Sequence, residues 1–185
     1  MDKLDPKRVR YLVVHTAAHP GDPSAKEIRR WHMEDRNWSD IGYHWVIRKS
    51  GALEVGRSLE YQGAHCRGIN AVSIGVCCSG DGDSQPFTPE QVETLLGLAV
   101  AVHRTYGVEP ENLIGHREIN LLVAAGKVPT EYLTTKSCPG RLVHLPRLRR
   151  LFGYLVHPPE PRPPEMAVPD IRPPAPEPPD LSRAA

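Results

Sequence analysis

Aromatic residues are scarce in this chain, which has two Phe and three Trp among 185 residues. Its core must therefore be built mainly from aliphatic side chains. An excess of charge of either sign is also missing, with 23 Lys and Arg against 22 Asp and Glu. That balance leaves no broad basic field of the kind nucleic-acid binding draws on, so no nucleic-acid partner is expected. No apolar run approaches the ~18 residues of a membrane span, which argues against membrane insertion. The opening stretch MDKLDPKRVRYLVVHTAAHP passes from charged residues into a very short apolar run. A secretory leader needs roughly 7–15 apolar residues and a small-residue cleavage site, so synthesis in the cytoplasm without a signal peptide is expected. The four cysteines, Cys66, Cys77, Cys78 and Cys138, include no CxxC pair. That excludes a zinc ribbon and a thioredoxin-type redox motif, and in a leaderless chain the thiols should stay reduced. Cys77 and Cys78 are adjacent in an apolar run; on a strand they would point to opposite faces and bury as small hydrophobes.

Proline, in contrast, is abundant, and much of it falls after His157 in HPPEPRPPEMAVPDIRPPAPEPPDLSRAA. Composition thus divides the chain into a domain over residues 1–155 and a proline-rich tail over 156–185. The tail has almost nothing apolar to pack, so an extended, disordered segment is expected there.

Within the domain, strand and helix signals alternate. RYLVVHT, Arg10 to Thr16, is a short β-branched run that reads as a buried strand. Ser24 followed by Glu27 forms a capping-box pattern for a helix to Glu34, with Ile28 and Trp31 on its apolar face. A hairpin is predicted between Tyr43–Arg48 and Leu53–Val55, turning at Ser50-Gly51. Val72–Cys78 reads as a further strand. The strongest helix signal starts at Thr88, with Pro89 at the first position and Gln91 completing the box, and stops at Gly107. NLIGH is a short strand leading to His116, and a last helix spans about Leu145–Leu151. The expected fold is α/β: one domain with a central mixed β-sheet flanked by helices.

Nine histidines are too many to share one role. His32, His103, His144 and His157 lie on helices or near the tail and read as surface or partly buried. His15 and His116 each end a predicted strand, where an open α/β sheet presents side chains to a crevice. With Cys138 they would make a His, His, Cys set. A catalytic zinc site uses three protein ligands and keeps one position for water, and imidazole and thiolate both suit zinc. The residues alone leave core packing open as the other reading of these three.

The segments VVHTAA, IGYHWVIRKSGALEVGR, GAHCRGINAVSIGVCCSG, FTPEQVETL, GHREI and TKSCPG together resemble the zinc amidases of the phage T7 lysozyme type. These N-acetylmuramoyl-L-alanine amidases share their fold with the peptidoglycan recognition proteins. The likeness covers about Val9 to Leu151. It implies that His15, His116 and Cys138 bind Zn2+ and that Tyr43 and Lys136 are catalytic. It further implies cleavage of the amide joining the lactyl group of N-acetylmuramic acid to L-alanine, as in a phage or prophage endolysin released onto the cell wall. In the resembled family the GAHCRGIN loop lines the substrate groove, which makes His65 and Asn70 candidates for binding peptidoglycan. His44 should face the other side of its strand from Tyr43, whereas Trp45 should share the Tyr43 face. The stretch NLLVAAGKVPTEYLTT between His116 and Lys136 is longer than that family's phage prototype needs. We expect a monomer.

Two other readings compete. A binding module that holds muropeptides without cutting them resembles the same family but typically lacks the cysteine at the Cys138 position. A cytosolic wall-recycling amidase usually has a carboxylate there and lacks the tyrosine at the Tyr43 position. A glycosidase is disfavoured because no carboxylate pair is placed for that chemistry.

Overall fold

The computed structural model describes residues 1–160. Five strands form one mixed sheet: β1 (Tyr11–Thr16), β2 (Trp45–Ile47), β3 (Leu53–Val55), β4 (Ser73–Cys78) and β5 (Leu113–Gly115), in the order β3-β2-β4-β1-β5. β1 runs parallel to both neighbours, with Val14 opposite Val76 on β4 and Gly115 on β5. Only the β2–β3 hairpin is antiparallel. Parallel pairing requires crossovers, and the helices supply the cover: α1 (Ala25–Glu34), α2 (Pro89–Tyr106), α3 (Ile119–Ala124) and α4 (Leu145–Val156).

Strand alternation sorts the core into layers. Leu12 and Val14 of β1, with Ile74, Val76 and Cys78 of β4, face α2 and α4, whose Leu95, Ala99, Leu148 and Phe152 complete the main core. Val13, one residue out of phase, faces the other way and packs with Ile114, Ile69 and Val123 of α3. Further along the same face, Cys77 and Val46 pack with Ala25 and Ile28 of α1. This face therefore carries two separate small cores, and His15, on the Val13 side of β1, sits between them.

The local signals explain the boundaries. Ser24 Oγ accepts from the Glu27 amide at 3.2 Å while Glu27 returns the bond to the Ser24 amide at 2.8 Å, closing the capping box of α1. Thr88 and Gln91 do the same for α2, both at 3.1 Å. Gln91 Nε2 also donates to the carbonyls of Ile47 and Ser79, seating the start of α2 on the ends of β2 and β4. Gly107 ends the helix in the left-handed region at φ 69°.

Four expectations change. β2 begins at Trp45, not Tyr43, so alternation does not carry through that segment. Trp45 packs on the main core beside α2, while Tyr43 packs with the α1 cluster on the opposite face. α4 continues past Leu151 to Val156 because the fully buried Phe152 holds its last turns against the core. His32 is buried rather than superficial, at 7% exposure. α3 has no counterpart among the predicted elements; it lies in the long stretch after His116, and Val123, Val128 and Tyr132 of that stretch pack on Ile69 and Ile114. Cys77 and Cys78 are fully buried on opposite faces, as expected. The tail beyond Glu160 lies outside the described residues.

Candidate metal centre and groove

The site lies at the C-terminal ends of β1 and β5, where parallel register fixes its first two members. Gly115 pairs with Val14, so the residue after each, His116 and His15, come side by side, with ring centroids 5.0 Å apart. Cys138 joins them from the loop before α4. One donor atom from each of His15, His116 and Cys138 lies within 4.8 Å of the others, and Cys138 Sγ is 3.6 Å from His15 Nδ1. Ligand bonds of roughly 2.05 Å from nitrogen and 2.3 Å from sulfur, at tetrahedral angles, put such donors about 3.6 Å apart. The residues present therefore fit a zinc ion in chemistry, and the His15–Cys138 pair already stands at that spacing.

Protonation fits as well. Burial holds the His15 imidazole well below its usual pKa, and the neighbouring His65, His116 and Lys136 push the same way. Burial and then Lys136 bring His116 down to about 4. Both rings are neutral donors at physiological pH. The Cys138 thiol is pushed up to about 11 by burial, against the opposing pull of the Thr16 backbone, Lys136 and Arg117, so a metal taking the thiolate would release a proton.

The Cys138 loop is held by residues the sequence reading did not single out. The Arg117 amide donates to the Cys138 carbonyl at 2.7 Å. Its guanidinium donates to the carbonyls of Ser137 at 3.0 Å, Gly140 at 2.6 Å and Val143 at 3.0 Å. Asp83 accepts from the Ser137 hydroxyl and from the Arg141 amide, the latter at 2.8 Å. Arg117 could have been suspected from its place beside His116 in GHREI. Asp83 carries no local signal, since its partners are more than 50 residues away.

The groove around this centre is lined by Tyr43, His65, His116, Lys136 and Cys138, with His32 and Trp38 at the α1 side. Tyr43 sits 5.0 Å from the His15 ring, and burial raises its phenol well above its usual pKa, so it remains a protonated donor. Lys136 is exposed at the rim. Its loop is fixed by Asn120, whose side chain pairs with the Thr134 backbone at 2.8 and 2.9 Å. His32 accepts from the Gly42 amide at 3.0 Å and packs on Trp38 and Tyr43. Asn70 lines the adjoining part of the groove, while its Oδ1 accepts from the amides of His65 and Cys66. Both ring nitrogens of His65 have partners inside the protein. His44 is fully buried, with Nδ1 accepting from the Gly75 amide and Nε2 facing the Tyr61 carbonyl. His103 is half-buried, and His144 and His157 are exposed, all outside the groove. A larger apolar groove runs between α2 and α4 on the far face of the sheet, lined by Val92, Leu96, Leu148 and Leu155. Among the described residues no such donor cluster lies there.

A sheet of this topology, with two histidines at its strand ends and a cysteine brought in from a loop, forms a crevice whose donors could hold a metal ion. Residues 5–141 match the family described as N-acetylmuramoyl-L-alanine amidase, and the chain belongs to that family. It is 38% identical over 104 residues to the endolysin of Enterobacteria phage K11, a match covering 53% of this chain and 66% of that one. To the endolysin of Escherichia phage T7 it is 39% identical over 99 residues, covering 51% and 64%. The matched stretch thus spans about two thirds of these curated relatives. Among solved structures, the N-acetylmuramoyl-L-alanine amidase LysC from Clostridium intestinale superposes with a TM-score of 0.67 at 24% identity, over 80% of this chain and 87% of that one. Drosophila PGRP-LB superposes with a TM-score of 0.62 at 23% identity, over 76% and 80%. These superpositions establish the shared fold.

Proposed function

We propose that the chain is a zinc-dependent N-acetylmuramoyl-L-alanine amidase that hydrolyses the amide between the lactyl group of N-acetylmuramic acid and L-alanine of the stem peptide. The observation that carries this reading is the gathering of His15, His116 and Cys138 within 4.8 Å in a groove shared with Tyr43 and Lys136. Zinc held by the three donors would supply Lewis acidity and an activated water for attack on an amide carbonyl. Lys136 brings fixed positive charge to the carbonyl oxygen as it becomes an oxyanion. Tyr43, kept un-ionised by burial, donates a hydrogen bond at the reacting centre. Asn70 braces the GAHCRGIN loop and lines the groove where the substrate would lie. Arg36, Arg67 and Lys136 along that groove suit the carboxylates of a stem peptide.

The cysteine at the third ligand position and the tyrosine at position 43 favour hydrolysis over mere binding and over a wall-recycling role. The endolysins among its relatives support a phage or prophage lytic enzyme, made in the cytoplasm and acting on the wall once released. No described helix is long and apolar enough to cross a membrane. We read the active unit as a monomer built from residues 1–155, with the proline-rich remainder unnecessary for the chemistry. Mass spectrometry of digested peptidoglycan tests the reading directly. Stem peptides with a free L-alanine amine, and glycan strands with intact lactyl carboxylates, are the expected products; new reducing sugar ends instead would mean a glycosidase.

A further inference from the structure

The direction of the hydrogen bonds around His65 follows from their far end. The Ile69 carbonyl can only accept, so the Ser73 hydroxyl, 2.7 Å away, donates its proton there. Ser73 Oγ is then an acceptor toward His65 Nε2 at 3.5 Å. Buried, and with no carboxylate among its hydrogen-bond partners in the described residues, the His65 ring is neutral. A neutral imidazole protonated on Nε2 carries its lone pair on Nδ1. That lone pair faces His15 Nε2 at 3.1 Å, so His15 must present Nε2–H to it. Nδ1 of His15 is left bare, and it is the nitrogen that faces Cys138.

The chain around the ring is built to hold it there. A Cβ added at Gly63 or at Gly75 would collide with the His65 ring, so glycine at both positions opens the slot it occupies. His44, the other imidazole packed on His65 at 5.8 Å between centroids, has its own nitrogens turned to the Gly75 amide and the Tyr61 carbonyl. It therefore does not compete for either bond of His65.

We propose that His65 is a positioning residue that locks His15 in its Nε2–H tautomer and so presents His15 Nδ1 to the metal, instead of binding substrate. A ligating histidine usually gives its second N–H to a carboxylate, carbonyl or water; here another histidine takes it, oriented in turn by Ser73 and Ile69. The proposal rests on His15 being a zinc ligand, as argued above.

Long-range nitrogen–proton correlation spectra of the full chain, labelled at histidine nitrogen, read the tautomer without any activity assay. His15 should show Nε2–H in the zinc-free protein and keep it when zinc is added. An Nδ1–H tautomer in the zinc-free state would overturn the proposal. Zinc affinity, measured by chelator competition, provides the second arm. His65→Leu removes the acceptor and should weaken binding about 10- to 100-fold. His65→Asn, whose carboxamide oxygen stands near the Nδ1 position, should stay close to the parent protein. Undiminished affinity in His65→Leu, or equal loss in both variants, would count against the lock. If His65→Leu does not fold, the tautomer spectrum and His65→Asn still decide. A parent protein that binds no zinc would instead defeat the proposed function, leaving the zinc-free tautomer to judge this inference by itself.

Discussion

Arg117 binds the loop that carries Cys138 at four carbonyls, one through its amide and three through its guanidinium, while the residue before it, His116, lies in the same donor set. Two of the three donors are thus joined by a rigid fork as well as by the fold. Arg117→Ala should cost about 2–4 kcal/mol of stability, because three partly buried carbonyls lose a charged donor. Urea denaturation checks the loss, and zinc affinity should fall with it. A variant as stable as the parent would show that water replaces the fork.

Cys138→Ala removes the thiolate from the donor set, so the variant should neither retain zinc through dialysis nor hydrolyse muropeptides. Metal analysis alongside the activity assay is the check. Full zinc content in the variant would mean that the ion sits elsewhere.

Lys136 lies at the rim and belongs to no ligand set, which separates its loss from that of the metal. Lys136→Ala should keep zinc and lose roughly 10²–10³ in kcat, the usual cost of one oxyanion donor. Loss of metal together with activity would reassign Lys136 to holding the site together.

Acid should weaken the zinc-free fold over a defined window. Burial brings His32 and His44 down to about 4 from the ordinary 6.5. Between those values the unfolded chain binds protons that the folded chain refuses, so protonation favours unfolding. Stability is complete above about pH 6.5 and declines as the pH falls toward 4. Urea midpoints measured across that range should drop steadily, and a flat profile would contradict the buried, neutral state of these rings.

Much of this architecture is legible in the sequence because its signals are local. Capping boxes at Ser24 and Thr88, the stop at Gly107 and the β-branched run before His15 each depend on neighbours a few residues away. His15 and His116 could be picked out for the same reason, as histidines at strand ends. Lys136 and Tyr43 could not: their meaning depends on which strands become neighbours, and it enters through family resemblance, which also turns Cys138 from a candidate donor into an implied ligand. Alternation puts Tyr43 and Trp45 on one face only if the strand begins at Tyr43, two residues ahead of where β2 starts. α3 escaped notice because a six-residue helix without a side-chain cap has little signal of its own, and its packing on Ile69 makes up the difference. Asp83 and the two bonded nitrogens of His65 were out of reach, since every partner that defines them is set by tertiary structure.

β1 has no partner close to it in the chain: Tyr11 pairs with Ser73, and Leu12 with Leu113. Strands that wait for such distant neighbours must close long loops before any pairing rewards them, and topologies of this kind fold slowly. During synthesis the first strand leaves the ribosome well before either neighbour exists. Its apolar run, Leu12 to Val14, stays exposed until β4 and then β5 arrive. A nascent chain halted anywhere before residue 113 holds one of the three candidate donors and an unpaired edge, so capacity to bind an ion should appear late, only when Cys138 follows the completed sheet.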